Sequence, residues 1–100
     1  MEEKGAIMEK WLECTITLGQ FSGEYAVQGE MFDATDFSLF APKKDLIFHE
    51  EPAMDKPVKG LIRIVTGAQK EDLVMVSLPR PTFENGRTIT IKKNQLREAD

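Results

Sequence analysis

The stretch Trp11-Leu12-Glu13-Cys14-Thr15-Ile16-Thr17-Leu18 decides the fold. Its even positions are all apolar, and its odd positions after Trp11 are polar. Side chains of an extended chain point alternately to opposite faces. Unbroken alternation over the whole run therefore specifies a strand with one buried face. On this reading Leu12, Cys14, Ile16 and Leu18 form the inward stripe.

The same period recurs on either side of that run. Gly19-Gln20 and Ser22-Gly23 break the chain, and residues 24–28 read as a second strand stopped by Gly29. Residues 33–36 are turn-like, with Thr35 or Asp36 placed to cap one helical turn. Residues 37–41 make a third strand that ends at Pro42, which has no N–H for a ladder. A short fourth strand follows over 46–49. The segment 49–59, with Pro52, Pro57 and several charges, reads as an exposed loop. Residues 60–66 and 73–78 are β-branched runs around the polar segment 67–72, the pattern of an antiparallel hairpin. Pro79-Arg80-Pro81 closes its second arm. Asn85-Gly86 is a turn dipeptide, 87–91 alternates with Ile89 and Ile91 inward, and Asn94-Gln95 turns Leu96 onto the end of the core.

Helical spacing of apolar residues is almost absent. Six or seven short strands, with at most one short helical turn, predict an all-β domain. A flat sheet of this size leaves two long edges and one wet face, whereas bending it into a barrel covers both. The expected architecture is a small, strongly bent antiparallel barrel of the SH3-like or OB-like kind, with a small β-sandwich as the alternative. One hundred residues suit a single domain, placed at 8–97. Residues 1–7 are expected to be a mobile tail and 98–100 a C-terminal tail, with Met8 a candidate start beside Met1. One short echo stands out. Phe40-Ala41-Pro42-Lys43-Lys44-Asp45-Leu46 resembles Ile89-Thr90-Ile91-Lys92-Lys93-Asn94-Gln95-Leu96 with one residue inserted, which puts both Lys-Lys pairs where a strand exits into a turn.

Charge and cysteine content exclude several functions. The formal net charge is −4. Residues 1–51 carry 11 acids and 4 bases, residues 52–100 carry 6 acids and 9 bases. An acidic chain is a poor general phosphate binder, because such binding draws on counterion release at a basic surface. The single cysteine, Cys14, permits no internal disulfide and no cysteine-built metal site. Apolar runs are far shorter than the ~20 residues a membrane helix needs, so no membrane partner is expected. The acidic N-terminus is unlike a secretory signal, and a cytoplasmic location is the expectation.

No catalytic set emerges. The only histidine, His49, precedes Glu50-Glu51, but neighbours on an extended chain face opposite sides, which suits solvation better than metal binding. Cys14, within an aliphatic stripe, is expected to be an inert thiol. The acid pairs Asp33/Asp36, Glu50/Glu51 and Glu71/Asp72 lie in turn-like positions with nothing to desolvate one member. Gly19, Gly23 and Gly29 do not form a phosphate cradle. The expectation is a protein that is not an enzyme and that needs no cofactor or metal.

Recognition is the remaining class. Trp11 interrupts the polar stripe of the first strand, and Phe21, Tyr25 and Phe32 fall near turns. Arg63, Arg80, Arg87, Lys92 and Lys93 populate strand faces and exits of the basic half. Trp11, Tyr25, Arg63, Arg80, Arg87, Lys92 and Lys93 are the candidate binding residues. The bland reading is that the aromatics plug the barrel ends and the cations only solvate strands. The expected function is a small non-catalytic binding module, a protein-interaction or accessory subunit, existing as a monomer or weak homodimer. The alternative is a single-stranded nucleic-acid binder using the basic half.

Overall fold

Pairing between distant strands turns this alternation into a curled sheet. The computed structural model describes residues 10–53, 55–84 and 86–98. In chain order these form β1 (Lys10–Leu18), β2 (Glu24–Glu30), β3 (Asp36–Pro42), a 3₁₀ turn (Lys43–Asp45) and β4 (Leu46–Ile47). Then follow β5 (Val58–Lys70), β6 (Leu73–Thr82), β7 (Gly86–Lys92), a second 3₁₀ turn (Lys93–Gln95) and β8 (Leu96–Arg97). The expected N-terminal tail and both candidate start residues lie outside the described residues, as do residues 99 and 100.

All ladders are antiparallel, and the main path runs β3-β2-β1-β5-β6-β7. The short strands add to its middle: β4 to β5 and β8 to β1. The sheet curls into a half-barrel whose inner face buries Leu12, Cys14, Ile16, Val27, Phe37 and Leu39 from the first half. Ile62, Ile64, Val74, Val76, Leu78, Ile89 and Ile91 complete the same cluster from the second. This continuous path replaces the two separate sheets of the sandwich alternative. Each buried aliphatic side chain contributes about 1.5–3 kcal/mol relative to exposure, so the alternating stripes are the main reason the ribbon bends.

The two hairpin tips close the curl reciprocally. The Phe32 N–H, between β2 and β3, donates to the Thr90 carbonyl of β7 at 3.0 Å. The Phe83 N–H, between β6 and β7, donates to the Ser38 carbonyl of β3 at 2.9 Å. Each edge strand thus has one carbonyl taken by the tip of the other half, which blunts an otherwise open edge.

The ladders also carry an internal two-fold relation. Adding 50 to the number of Lys43–Asp45 gives Lys93–Gln95, the second 3₁₀ turn. The pair Leu46↔Ile62 becomes Leu12↔Leu96 on exchanging residues 50 apart, and Ile47↔Leu61 becomes Trp11↔Arg97. Leu12 and Ile62, themselves 50 apart, pair with each other and mark the centre of the relation. The echo in the sequence therefore reflects two equivalent halves. Its true register matches Lys43 with Lys93, one residue away from the alignment that the Lys-Lys pairs suggest.

Trp11 lies opposite Arg97, and Lys10 Nζ sits 3.3 Å from Glu98 Oε2. A circular permutant that links residue 98 to residue 10 and opens the loop between β4 and β5 should keep the same far-ultraviolet dichroism and melt in one cooperative step. A permutant with coil-like dichroism would contradict the exchange of short strands between halves.

Several local expectations are corrected. Gly29 does not stop β2 but lies within it, because the Phe37 ring occupies the space a Cβ would need. The fourth strand is only Leu46–Ile47. Residues 67–70 extend β5 through a register shift rather than forming a turn, leaving Glu71-Asp72 as the turn and Glu71 at φ 58°. Pro79 and Pro81 lie inside β6. The ladder with β5 ends at Ser77 and that with β7 shifts between Ser77 and Thr82, so neither proline is asked for an N–H. Among the described residues two short 3₁₀ turns are present where at most one helical turn was expected, and there is no α-helix. Leu18, expected inward, is exposed at the end of β1.

Candidate functional site

A groove of about 860 Å³ is lined by β1, β2 and β5, with Asp36 of β3 and the chain around β8 at its sides. Some of the outward positions of these strands face it. Glu13 and Thr15 come from β1, Gln28 and Glu30 from β2, and Asp36 from β3, while Lys59 of β5 and Arg97 and Glu98 complete its rim. Arg97 ion-pairs with Glu13. The Gln28 amide donates to Asp36 Oδ2 at 3.3 Å, and the Gln95 amide donates to the Glu30 carbonyl at 2.8 Å. The second 3₁₀ turn is thereby fastened to β2 across the groove.

A smaller apolar pocket of about 150 Å³ adjoins it, with Thr15 and Gln28 bordering both. Phe40, Phe83 and Pro57 form part of its wall. Phe40 and Phe83 meet edge to face with centroids 5.2 Å apart, the arrangement their ring quadrupoles favour. Phe83 is nonetheless 66% exposed. Glu84 fixes this tip to β3. Its carboxylate accepts from the Ser38 hydroxyl at 2.6 Å and from the Ser38 N–H at 2.9 Å, which together hold its pKa below the usual value.

The residues expected from the sequence fall into separate places. Trp11 and Arg63 face each other across β1 and β5, with the guanidinium 5.8 Å from the ring centroid. Arg63 also donates to the Lys44 carbonyl at 2.9 Å and lies 3.9 Å from Asp45 Oδ1, so it holds the first 3₁₀ turn against β5. Tyr25 packs on Phe48 at 5.2 Å and donates to Glu51, while Lys43 lies over the Phe48 ring. This cluster pins the loop after β4. Arg87 donates to the Leu78 and Pro79 carbonyls where β6 is irregular. Arg80 is exposed between its two prolines. Lys92 ends β7 and Lys93 opens the following turn, its N–H donating to the Asp72 carbonyl at 2.8 Å. Arg87 and Lys92 lie at opposite ends of β7, roughly 17 Å apart at the usual strand rise.

Cys14 is buried, and burial pushes its thiol up to about 12, so it is a protonated core side chain at neutral pH. His49, Glu50 and Glu51 are exposed. Among the described residues no group of three or more His, Cys, Asp or Glu is placed to hold a metal ion, and no helix is long and apolar enough to cross a membrane.

Sequence reasoning missed the residues that build the groove. Only Phe83 carried a local signal, as an aromatic isolated at a hairpin tip between Pro81 and Asn85-Gly86. These features define an all-β half-barrel of two equivalent halves with a mixed polar and aromatic groove on one outer face. No family model, curated protein or solved structure matches the chain.

Proposed function

We propose that the chain is a non-catalytic module that binds a protein partner through this groove. The continuity of the cleft carries this reading: a polar channel and an aromatic pocket share Thr15 and Gln28. Most of its walls are strand residues or tips tied to strands, so little ordering is spent on binding. The strand orders β4-β5-β1-β2-β3 and β8-β1-β5-β6-β7 support reading the halves as two interlocked SH3-like barrels that share their central pair. A reducing, cytoplasmic setting fits a chain with one buried thiol. The nucleic-acid alternative draws on Trp11 and Arg63, but Arg63 is already engaged with Asp45 and Arg97 with Glu13, and the groove carries acids.

Selection of random peptides against the immobilised protein tests the proposal. Selected peptides should bind roughly tenfold more weakly to Thr15→Arg, which fills the groove, than to wild type. They should bind undiminished to Met75→Arg, on an exposed β6 position away from it. Failure to select any binder, or equal affinity for both variants, would overturn the reading.

A further inference from the structure

We propose, resting on that reading, that the groove takes an extended basic segment with one apolar anchor residue. The apolar pocket fixes the anchor. Phe40, Phe83 and Pro57 are among its walls, with Thr15, Thr17 and Ser38 beside them, and about 150 Å³ admits one aliphatic or proline side chain. The rest of the groove fixes the charge. Among its described lining residues are four acids, Glu13, Glu30, Asp36 and Glu98, against two bases, Lys59 and Arg97, a balance of −2. Glu84 sets a further carboxylate beside the apolar end, on Ser38. Glu13 is paired with Arg97 and Glu98 with Lys10, so the complementary potential for a cationic partner lies at Glu30, Asp36 and Glu84, where an acidic partner meets like charge.

The spacing follows from β3. Asp36, Ser38 and Phe40 share its groove-side face at every second residue. Asp36 and Phe40 are therefore roughly 13 Å apart at about 3.3 Å per residue. A segment lying extended along β3 with its anchor against Phe40 and Phe83 brings the residue four positions away beside Asp36 and Glu30. That residue is lysine or arginine.

Fluorescence anisotropy with defined peptides provides the test. The probe is a labelled Ser/Gly peptide with one leucine and with lysines four and six residues from it, made in both directions. At least one direction should bind. Replacing both lysines with glutamate, or the leucine with serine, should each weaken binding roughly tenfold. Raising the salt from about 50 to 300 mM should weaken it several-fold, as screening of exposed charges requires. Glu30→Gln with Asp36→Asn, both exposed positions, should shrink the gap between the lysine and glutamate peptides. Phe83→Ala should remove the dependence on leucine. Equal binding of the lysine and glutamate peptides would overturn the inference. So would a set of selected groove binders without basic residues, and that second result leaves the binding module itself standing. The absence of any groove binder removes both.

Discussion

Replacing Phe37 with alanine should destabilise the protein by about 3–5 kcal/mol and lower its melting midpoint by roughly 15–30 °C. Phe37 is 0% exposed and lies on β3 directly opposite Gly29 of β2. Its ring fills the place where a side chain at position 29 would stand: a Cβ there would come within 2.6 Å of both Cε2 and Cζ. Truncation leaves a ring-sized void that the rigid ladder on either side cannot collapse. The corresponding place in the second half is filled differently. Val27 beside Ile16 matches Val76 beside Thr66, so β2 and β6 correspond 49 residues apart. Leu78, which is buried, takes the place of Gly29, while the counterpart of Phe37, 50 residues on, is the exposed Arg87. A cycle of single and double variants separates the terms. Gly29→Ala should be destabilising beside Phe37 and close to neutral beside Phe37→Ala, with the coupling read from urea melts. Equal costs of Gly29→Ala in both backgrounds would show that the ring and the glycine do not share that space.

The same pair explains what was legible beforehand. Alternation over 11–18 announced the buried stripe of β1 because burial of one strand face leaves its mark on neighbouring residues. Ile89 and Ile91 announced β7 for the same reason. Gly29 read as a stop because the ring that requires it belongs to another strand. Pro79 and Pro81 read as an end because their tolerance depends on a register shift against β7, which no local pattern encodes. The two-fold relation was nearly hidden. Structurally equivalent positions differ in size and polarity, as at Cys14 and Ile64 or Ile16 and Thr66, and there is little identity beyond Lys43/Lys93 and Leu46/Leu96 around the 3₁₀ turns.

The groove was less legible still. Its residues come from β1, β2, β3 and β5, from the tip at Phe83 and from the end of β8, and no two of the five groove and rim acids are sequence neighbours. Trp11 and Arg63 were each visible as interruptions of a pattern, but that they face one another follows only from the β1–β5 register. Conversely, of the cations that clustered in composition, Arg87 serves a strand irregularity, Lys92 and Lys93 a turn entry at the other end of β7, and Arg80 is exposed on β6. Charge totals by segment say nothing about which residues share a face. Register does.

Gly60→Ala should cost about 2–3 kcal/mol, at the upper end for adding a single methyl group to a packed site. Gly60 pairs with Cys14 across β1 and β5 and sits beside the short strand β4. A Cβ there would lie 2.6 Å from the Ile47 carbonyl oxygen and 2.5 Å from Ile16 Cδ1. The isoleucine tip can rotate away at modest cost, but the carbonyl belongs to the backbone that joins β4 to β5 and can yield only by lifting β4. Ile16→Val, which removes Cδ1, should therefore recover only part of the loss. Gly67→Ala is the control: its nearest neighbour, the Met75 carbonyl, is 3.4 Å from the new Cβ, and its stability should change by no more than about 0.5 kcal/mol. Hydrogen exchange adds the location. In Gly60→Ala, protection should fall first at Leu46, Ile47, Leu61 and Ile62, the two rungs of the β4–β5 ladder. Uniform loss across the sheet would mean that the strain is not borne by the strand that each half lends to the other.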